Sequence, residues 1–349
     1  MRYLLGIPSD MNPYCYHSSL NFVSAFMLAT SSSRAATSRL QALHTRRAAI
    51  ISLDPDRARA LHSRPAEAPG ARWGVILYMV AVHGLALVAL LPRFWSWQAL
   101  VTLLILYWIT ACLGVTLGYH RLLSHRSFRV PHWLERVLAT CGALSCQHGP
   151  IDWVGLHRHH HKFSDTAVDH HDSNLGFWWS HMGWMLVGVP ALAAVPRLTG
   201  DLATDPYYRW LNRWFLSLQL ILGIFLYWVG NATGVGGWSL VLWGIPLRLA
   251  IVYQCTWLVN SATHRWGQVS HDSGDHSKNN PWVAALTFGE GWHNNHHAFP
   301  HSARHGVDKG QIDLTWEHIR ILQILGLASH VRLPRSVRRS KNQMGRSVA

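Results

Sequence analysis

Residues 97–125 read WQALVTLLILYWITACLGVTLGYHRLLSH, a run with no charged side chain from Trp97 to Tyr119 that is long enough to cross a bilayer and ends in His120 and His125. An apolar span that delivers imidazoles at its exit sets the rest of the reading. Working outward, Gly74–Leu91 is another uncharged run, separated from the first by Pro92 and Arg93, and Trp214–Val229 and Trp238–Val259 form a second pair around the turn 231–237. These are read as four membrane helices in two hairpins. Trp73, Trp95, Trp97, Trp214, Trp228 and Trp238 stand near the span ends, where amphipathic rings settle at headgroup level. Arg248, inside the fourth span, is costly in hydrocarbon and is expected to face the protein interior or to snorkel.

Composition agrees. Of 349 residues, 49% are hydrophobic and 14% charged, too few charges for an ordinary soluble globule and too apolar a chain to be disordered. A net charge of +14 calls for nucleic acid or a membrane surface as partner, and four apolar spans have no role in a nucleic-acid binder. The N-terminal region, the connector 120–213 and the C-terminal region are Arg-rich, whereas the hairpin turns hold only Arg93. Both termini and every His cluster are therefore expected on the cytoplasmic side, or the stromal side in a plastid.

Residues 1–70 read as a flexible basic tail, with the composition of an organelle transit peptide or of sequence upstream of a later start such as Met11 or Met27. Residues 71–334 read as the membrane domain with its cap, and 335–349 as a second basic tail. Trp133–Cys146 is too short to span and is expected along the interface or under the cap. The five cysteines form no CxxC pair, which argues against a disulfide framework and a thiolate metal site.

Four clusters carry the chemistry: His120-Arg-Leu-Leu-Ser-His125, His157-Arg-His-His-His161, Asn260-Ser-Ala-Thr-His264 and His293-Asn-Asn-His-His297. Residues three and four apart share a helix face, so His157, His160 and His161 converge, as do His293, His296 and His297. His120 and His125 diverge on an ideal α-helix, so the helix is expected to end or loosen between them. Asn260 lies one turn from His264. Nine imidazoles and one amide oxygen exceed what one tetrahedral zinc takes, and two metals fit the count; imidazole suits iron as well as zinc. Asp152, Asp165, Asp169, Asp172 and Glu290 are candidates to hold the second ring nitrogens. His159, His170, His171, His301 and His305 lie within or beside the clusters and are weaker candidates.

The segments HRLLSH, HRHHH, NSATH and GEGWHNNHHAFPHSARHG (289–306) resemble the membrane fatty-acid desaturases of the Δ9 acyl type, over roughly Trp73–Pro334. GPIDWV (149–154), GFWWSHMGW (176–184) and TWLVNSATHRWG (256–267) resemble the cyanobacterial and plant branch, which includes acyl-lipid enzymes. The resemblance implies an all-α membrane protein of four spans whose cytoplasmic cap holds two irons over a buried acyl tunnel. It implies ligation by His120, His125, His157, His160, His161, His264, His293, His296 and His297, with Asn260 near the second iron. Departures are His170 where Pro is usual, Gln254 where His is usual, and Asp308-Lys309-Gly310 in place of an aromatic pair, the last expected to loosen docking of the C-terminal segment.

An unactivated methylene offers no acidic proton, so a side-chain base cannot start the reaction and a redox metal with O₂ is required. The expected reaction takes one hydrogen from each of two adjacent methylenes, leaving a cis double bond and water, on an acyl chain carried by a glycerolipid or CoA. No haem segment, iron–sulfur cysteine set or GxGxxG fingerprint is present, so electrons are expected from a separate ferredoxin or cytochrome b5. A related di-iron hydroxylase or ketolase is the alternative, and a His-rich metal transporter a remote one. Leu104, Trp108 and Cys112 are expected, from helical register, to limit tunnel depth.

Overall fold

The computed structural model describes residues 70–334; the basic tails 1–69 and 335–349 lie outside the described residues. Among the described residues every regular element is helical. The main ones are α1 (Trp73–Ala89), α2 (Trp97–Ser124), α3 (His132–Ala143), α4 (Pro150–Phe163), α5 (Pro206–Trp214), α6 (Ser217–Ala232), α7 (Gly237–Arg265), α8 (Pro281–Leu286), α9 (His293–Ala298) and α10 (Leu314–Ile324). Between α4 and α5 the chain makes only short helical turns.

Helices α2, of 28 residues, and α7, of 29, are long and apolar enough to cross a membrane. Helix α1 is shorter at 17 residues, and α5 and α6, which pass the same test only together, are bent by 69°. Leu77, Val80 and Leu87 on α1 and Leu220, Ile221 and Ile224 on α6 stand exposed, a surface that water would penalise and lipid would not. One buried cluster packs Ala89, Ala99, Leu103, Leu249 and Trp257 between the apolar helices, and a second packs Leu122, Leu138, Val154, Leu211 and Ile319 beneath the histidines.

Helix α3 lies against α2 because α2 presents Gly114 and Gly118 there: a Cβ on Gly114 would stand 2.4 Å from the backbone of Cys141. The segment expected along the interface or under the cap is thus packed on a span. Helix α4 begins at Pro150 and is capped from another helix, since Asn212 Oδ1 accepts from the backbone N–H groups of Ile151 and Asp152 at 3.0 and 3.1 Å. Arg248 faces the interior, fully buried, and donates to the carbonyls of Gly244 and Leu144 and to Gln219 Oε1.

The C-terminal segment is docked, against the expectation of loosening. Asp313 caps α10 and accepts from buried Arg121 at 2.9 Å, and the Ala303 and Arg332 N–H groups donate to the carbonyls of Arg332 and Ser127. The residues after Gly306 that replace the aromatic pair are bypassed by these bonds.

Candidate metal centre

Helix α2 changes winding on its way to the site. From Trp108 to Ser124 it is a π-helix, and the His125 N–H bonds the His120 carbonyl at 3.1 Å. Bonding from i to i+5 stacks residues five apart, which an α-helix would splay. His120 and His125 therefore meet, with ring centroids 4.9 Å apart. The loosening expected from their spacing takes the form of a wider helix.

Each HxxHH triad splits. One ring nitrogen from each of His120, His125, His157, His161 and His296 lies within 4.8 Å of the others, and a second such group comprises His160, His264, His293 and His297. Helix α4 thus gives two rings to one group and one to the other, and α9 does the reverse. Asn260 lines the smaller space beside the second group, together with Thr256, His160 and His293.

Carboxylates orient the rings. His120 Nδ1 meets Glu290 at 2.5 Å, His160 Nδ1 meets Asp169 at 2.9 Å, His264 Nδ1 meets Asp165 at 2.9 Å, and His297 Nδ1 meets Asp275. A ring that gives its Nδ1 proton to a carboxylate turns an Nε2 lone pair the other way. His160 and His297 have no partner at Nε2 although both are buried, and Nε2 of His120 and of His161 point at the same Nε2 of His296, at 3.0 and 2.8 Å. One proton on His296 satisfies only one of those two lone pairs. Buried lone pairs aimed at common points are what a bound cation satisfies, so the residues present fit two metal ions.

The electrostatics suit neutral ligands and charged supports. Burial, then neighbouring imidazoles, pushes His157 and His161 well below the ordinary histidine range, and His297 falls to about 4 through burial in spite of Asp275. Burial raises the carboxyls of Asp165, Asp169, Asp275 and Glu290, but the facing imidazoles and hydrogen bonds outweigh it and hold all four below the usual carboxylate range.

Of the expected supporting acids, Asp152 instead bonds Asn212 Nδ2 at 3.1 Å, and Asp172 bonds Asn174. Asp275 was missed; its sequence signal is an acidic loop, HDSGDH (271–276), directly after the NSATH span exit. Among the weaker histidines, His305 joins His120 and Glu290, and His171 joins His160 and Asp169. His301 bonds the His125 carbonyl, His170 lines a cavity beside the site, and His159 packs at a tilt against Phe163 and belongs to neither group.

A cavity of about 570 Å³ runs from Arg72, Gly74, Val75, Phe215 and Leu216 to Trp153, His157, Thr256 and Asn260. A smaller space of about 70 Å³ shares those last four walls and continues to Tyr107, Ala111, Val115 and Cys255. The expected depth-limiting face is corrected: Trp108 and Cys112 turn toward His318 and Thr315 on α10, Leu104 is exposed, and Tyr107, Ala111 and Val115 face the cavity instead.

The model of the fatty acid desaturase family matches residues 95–320. The chain is 54% identical to the sn-1 stearoyl-lipid 9-desaturase of Anabaena variabilis over 76% of its own length and 95% of that protein's, and 52% identical to the enzyme of the same name from Synechocystis sp., over 78% and 83%. It is 44% identical to the chloroplastic palmitoyl-monogalactosyldiacylglycerol delta-7 desaturase of Arabidopsis thaliana, over 77% and 71%.

Proposed function

This chain belongs to the fatty acid desaturase family and is an acyl desaturase, and from that premise we propose that it places a cis double bond, at Δ9, in a saturated acyl chain carried by a membrane glycerolipid. The observation that carries the reading is the pair of imidazole groups beside a largely apolar cavity, with Trp153, His157, Thr256 and Asn260 where its two parts meet.

His120, His125, His157, His161 and His296 would hold one iron and His160, His264, His293 and His297 the other, with Asn260 beside the second. When bound, the two irons supply the O₂-dependent one-electron chemistry that removes hydrogen from unactivated methylenes. The polypeptide's task is placement. Trp153 stacks on His157 with ring centroids 5.1 Å apart, and Gln147 Nε2 donates to Thr256 Oγ1 at 3.0 Å, fixing the walls where the two cavities meet. Tyr107 closes the far end, its hydroxyl donating to the Leu286 carbonyl at 2.6 Å. An acyl chain has no polar handle at midlength, so the carbon presented to the histidines is set by cavity length and bend.

A lipid-borne substrate is supported by where the larger cavity begins. Gly74 and Val75 at the start of α1 and Phe215 and Leu216 at the α5–α6 bend line it, flanked by the exposed rings of Trp73 and Trp214 at interface positions. In this reading α1, α2, the bent α5–α6 pair and α7 are the four spans, the termini and histidines face the cytoplasm or stroma, and a separate ferredoxin or cytochrome b5 supplies electrons.

The test is expression in a host lacking unsaturated fatty acids, followed by lipid-class and double-bond analysis. Δ9-unsaturated glycerolipid is expected. An oxygenated acyl chain would favour the hydroxylase or ketolase, and no acyl product with intact protein would refute the assignment.

A further inference from the structure

The two imidazole groups are supported unequally. In the four-histidine group, three of the four rings rest on a carboxylate: His160 on Asp169, His264 on Asp165 and His297 on Asp275. Among the described residues none of these carboxylates meets a Lys or Arg. Their other partners are the Ser173 hydroxyl on Asp165, the hydroxyls of Ser273 and Ser277 on Asp275, backbone N–H groups, and the histidines His170, His171 and His276. In the five-histidine group only His120 has such a partner, Glu290, and Arg121 draws on the same carboxylate at 2.9 Å while also bonding Asp313.

Resting on the two-iron reading above, we propose that the groups hold iron unequally: His160, His264, His293 and His297 take up their ion first and release it last. A carboxylate behind an imidazole makes the ring a stronger donor and fixes its direction, and removing such a partner typically weakens metal binding about 10–100-fold. Three carboxylates without a cationic partner also leave more negative charge beside one ion than a single carboxylate shared with a guanidinium leaves beside the other. The fifth imidazole of the other group adds a neutral donor and does not restore that charge. The chain therefore passes through a one-iron state whose ion sits against α7 and α9, and the group that α2 helps to build is the last to fill.

The experiment follows iron leaving the purified full-length, iron-loaded protein as a chelator is raised, with bound iron counted per chain. Two phases of about one iron each are expected, separated by at least about tenfold in chelator. His161→Ala should lose the labile phase and keep the tight one; His293→Ala should lose the tight phase. Asp275→Asn should move the tight phase about 10–100-fold toward easier release and leave the labile phase in place, and Asp275→Glu should restore much of it. Glu290→Gln should move only the labile phase. The wild-type titration depends on no variant folding. Two irons released together, or a tight phase that survives His293→Ala, would overturn the inequality alone; fewer than two irons on the fully loaded chain would overturn it together with the two-iron reading.

Discussion

Helices α2 and α4 deliver histidines to the same five-membered group by opposite means. Helix α4 is a regular α-helix, and its HxxHH spacing already places His157 and His161 together one turn apart. Helix α2 carries its pair five apart and brings them together only by winding as a π-helix over Trp108–Ser124. Each ligand pair is accompanied by an arginine that follows its first histidine. Arg121 is fully buried between Glu290 and Asp313, while Arg158 is partly exposed, bonds Asp201 and donates to the carbonyls of Leu123 and Ser124 at the end of α2. The difference teaches that α4 is built by its own spacing, whereas the end of α2 is built by its surroundings, including α4.

The comparison can be broken at several strengths. His161→Ala, which removes a ring from the regularly wound helix, should abolish unsaturated product while leaving the amount of membrane-inserted protein unchanged, read by lipid analysis beside fractionation. Deleting Leu122 puts the two α2 histidines at an α-helical spacing and breaks the i→i+5 register; product should fall at least about tenfold, the scale on which even a ligand's supporting partner is felt. Unchanged product would show that the π-winding is not what aligns them.

Arg121→Ala leaves the buried carboxylates of Glu290 and Asp313 without the cation they share and should cost about 3–5 kcal/mol, seen as a lower unfolding midpoint in detergent. Arg158→Ala removes charge-assisted bonds that reach water on one side, so about 1.5–3 kcal/mol is expected in the same assay. Asn212→Ala, which takes away the borrowed cap of α4, should cost about 0.5–2 kcal/mol. An Arg158 effect as large as that of Arg121 would contradict the distinction between a buried hub and a brace.

What was legible in the sequence follows the same divide. Local periodicity exposed α7, the apolar part of α2, and both HxxHH triads, because span length and i, i+3, i+4 spacing are properties of one helix. The convergence of nine imidazoles could be expected from cluster composition, but not their five-and-four division, which depends on how α4 and α9 cross. The phase of α2 was not legible: counting in fours from Leu104 marks Trp108 and Cys112, yet it is the row one residue earlier, Tyr107, Ala111 and Val115, that reaches the cavity, because which row of an all-apolar helix faces inward is set by its neighbours. Asp275 was missed because its partnership with His297 is made by a loop, across a sequence distance that no periodicity encodes. The 69° bend between α5 and α6 falls where the apolar run read from Trp214 begins, and no periodicity marks it, although Phe215 and Leu216 at the bend line the cavity.

The central claim is that these histidines hold two irons, and metal analysis with X-ray absorption on the purified full-length protein tests it most directly. The account predicts two irons per chain with nitrogen-dominated ligation. A single metal atom per fully loaded chain, or ligation dominated by sulfur, would contradict it.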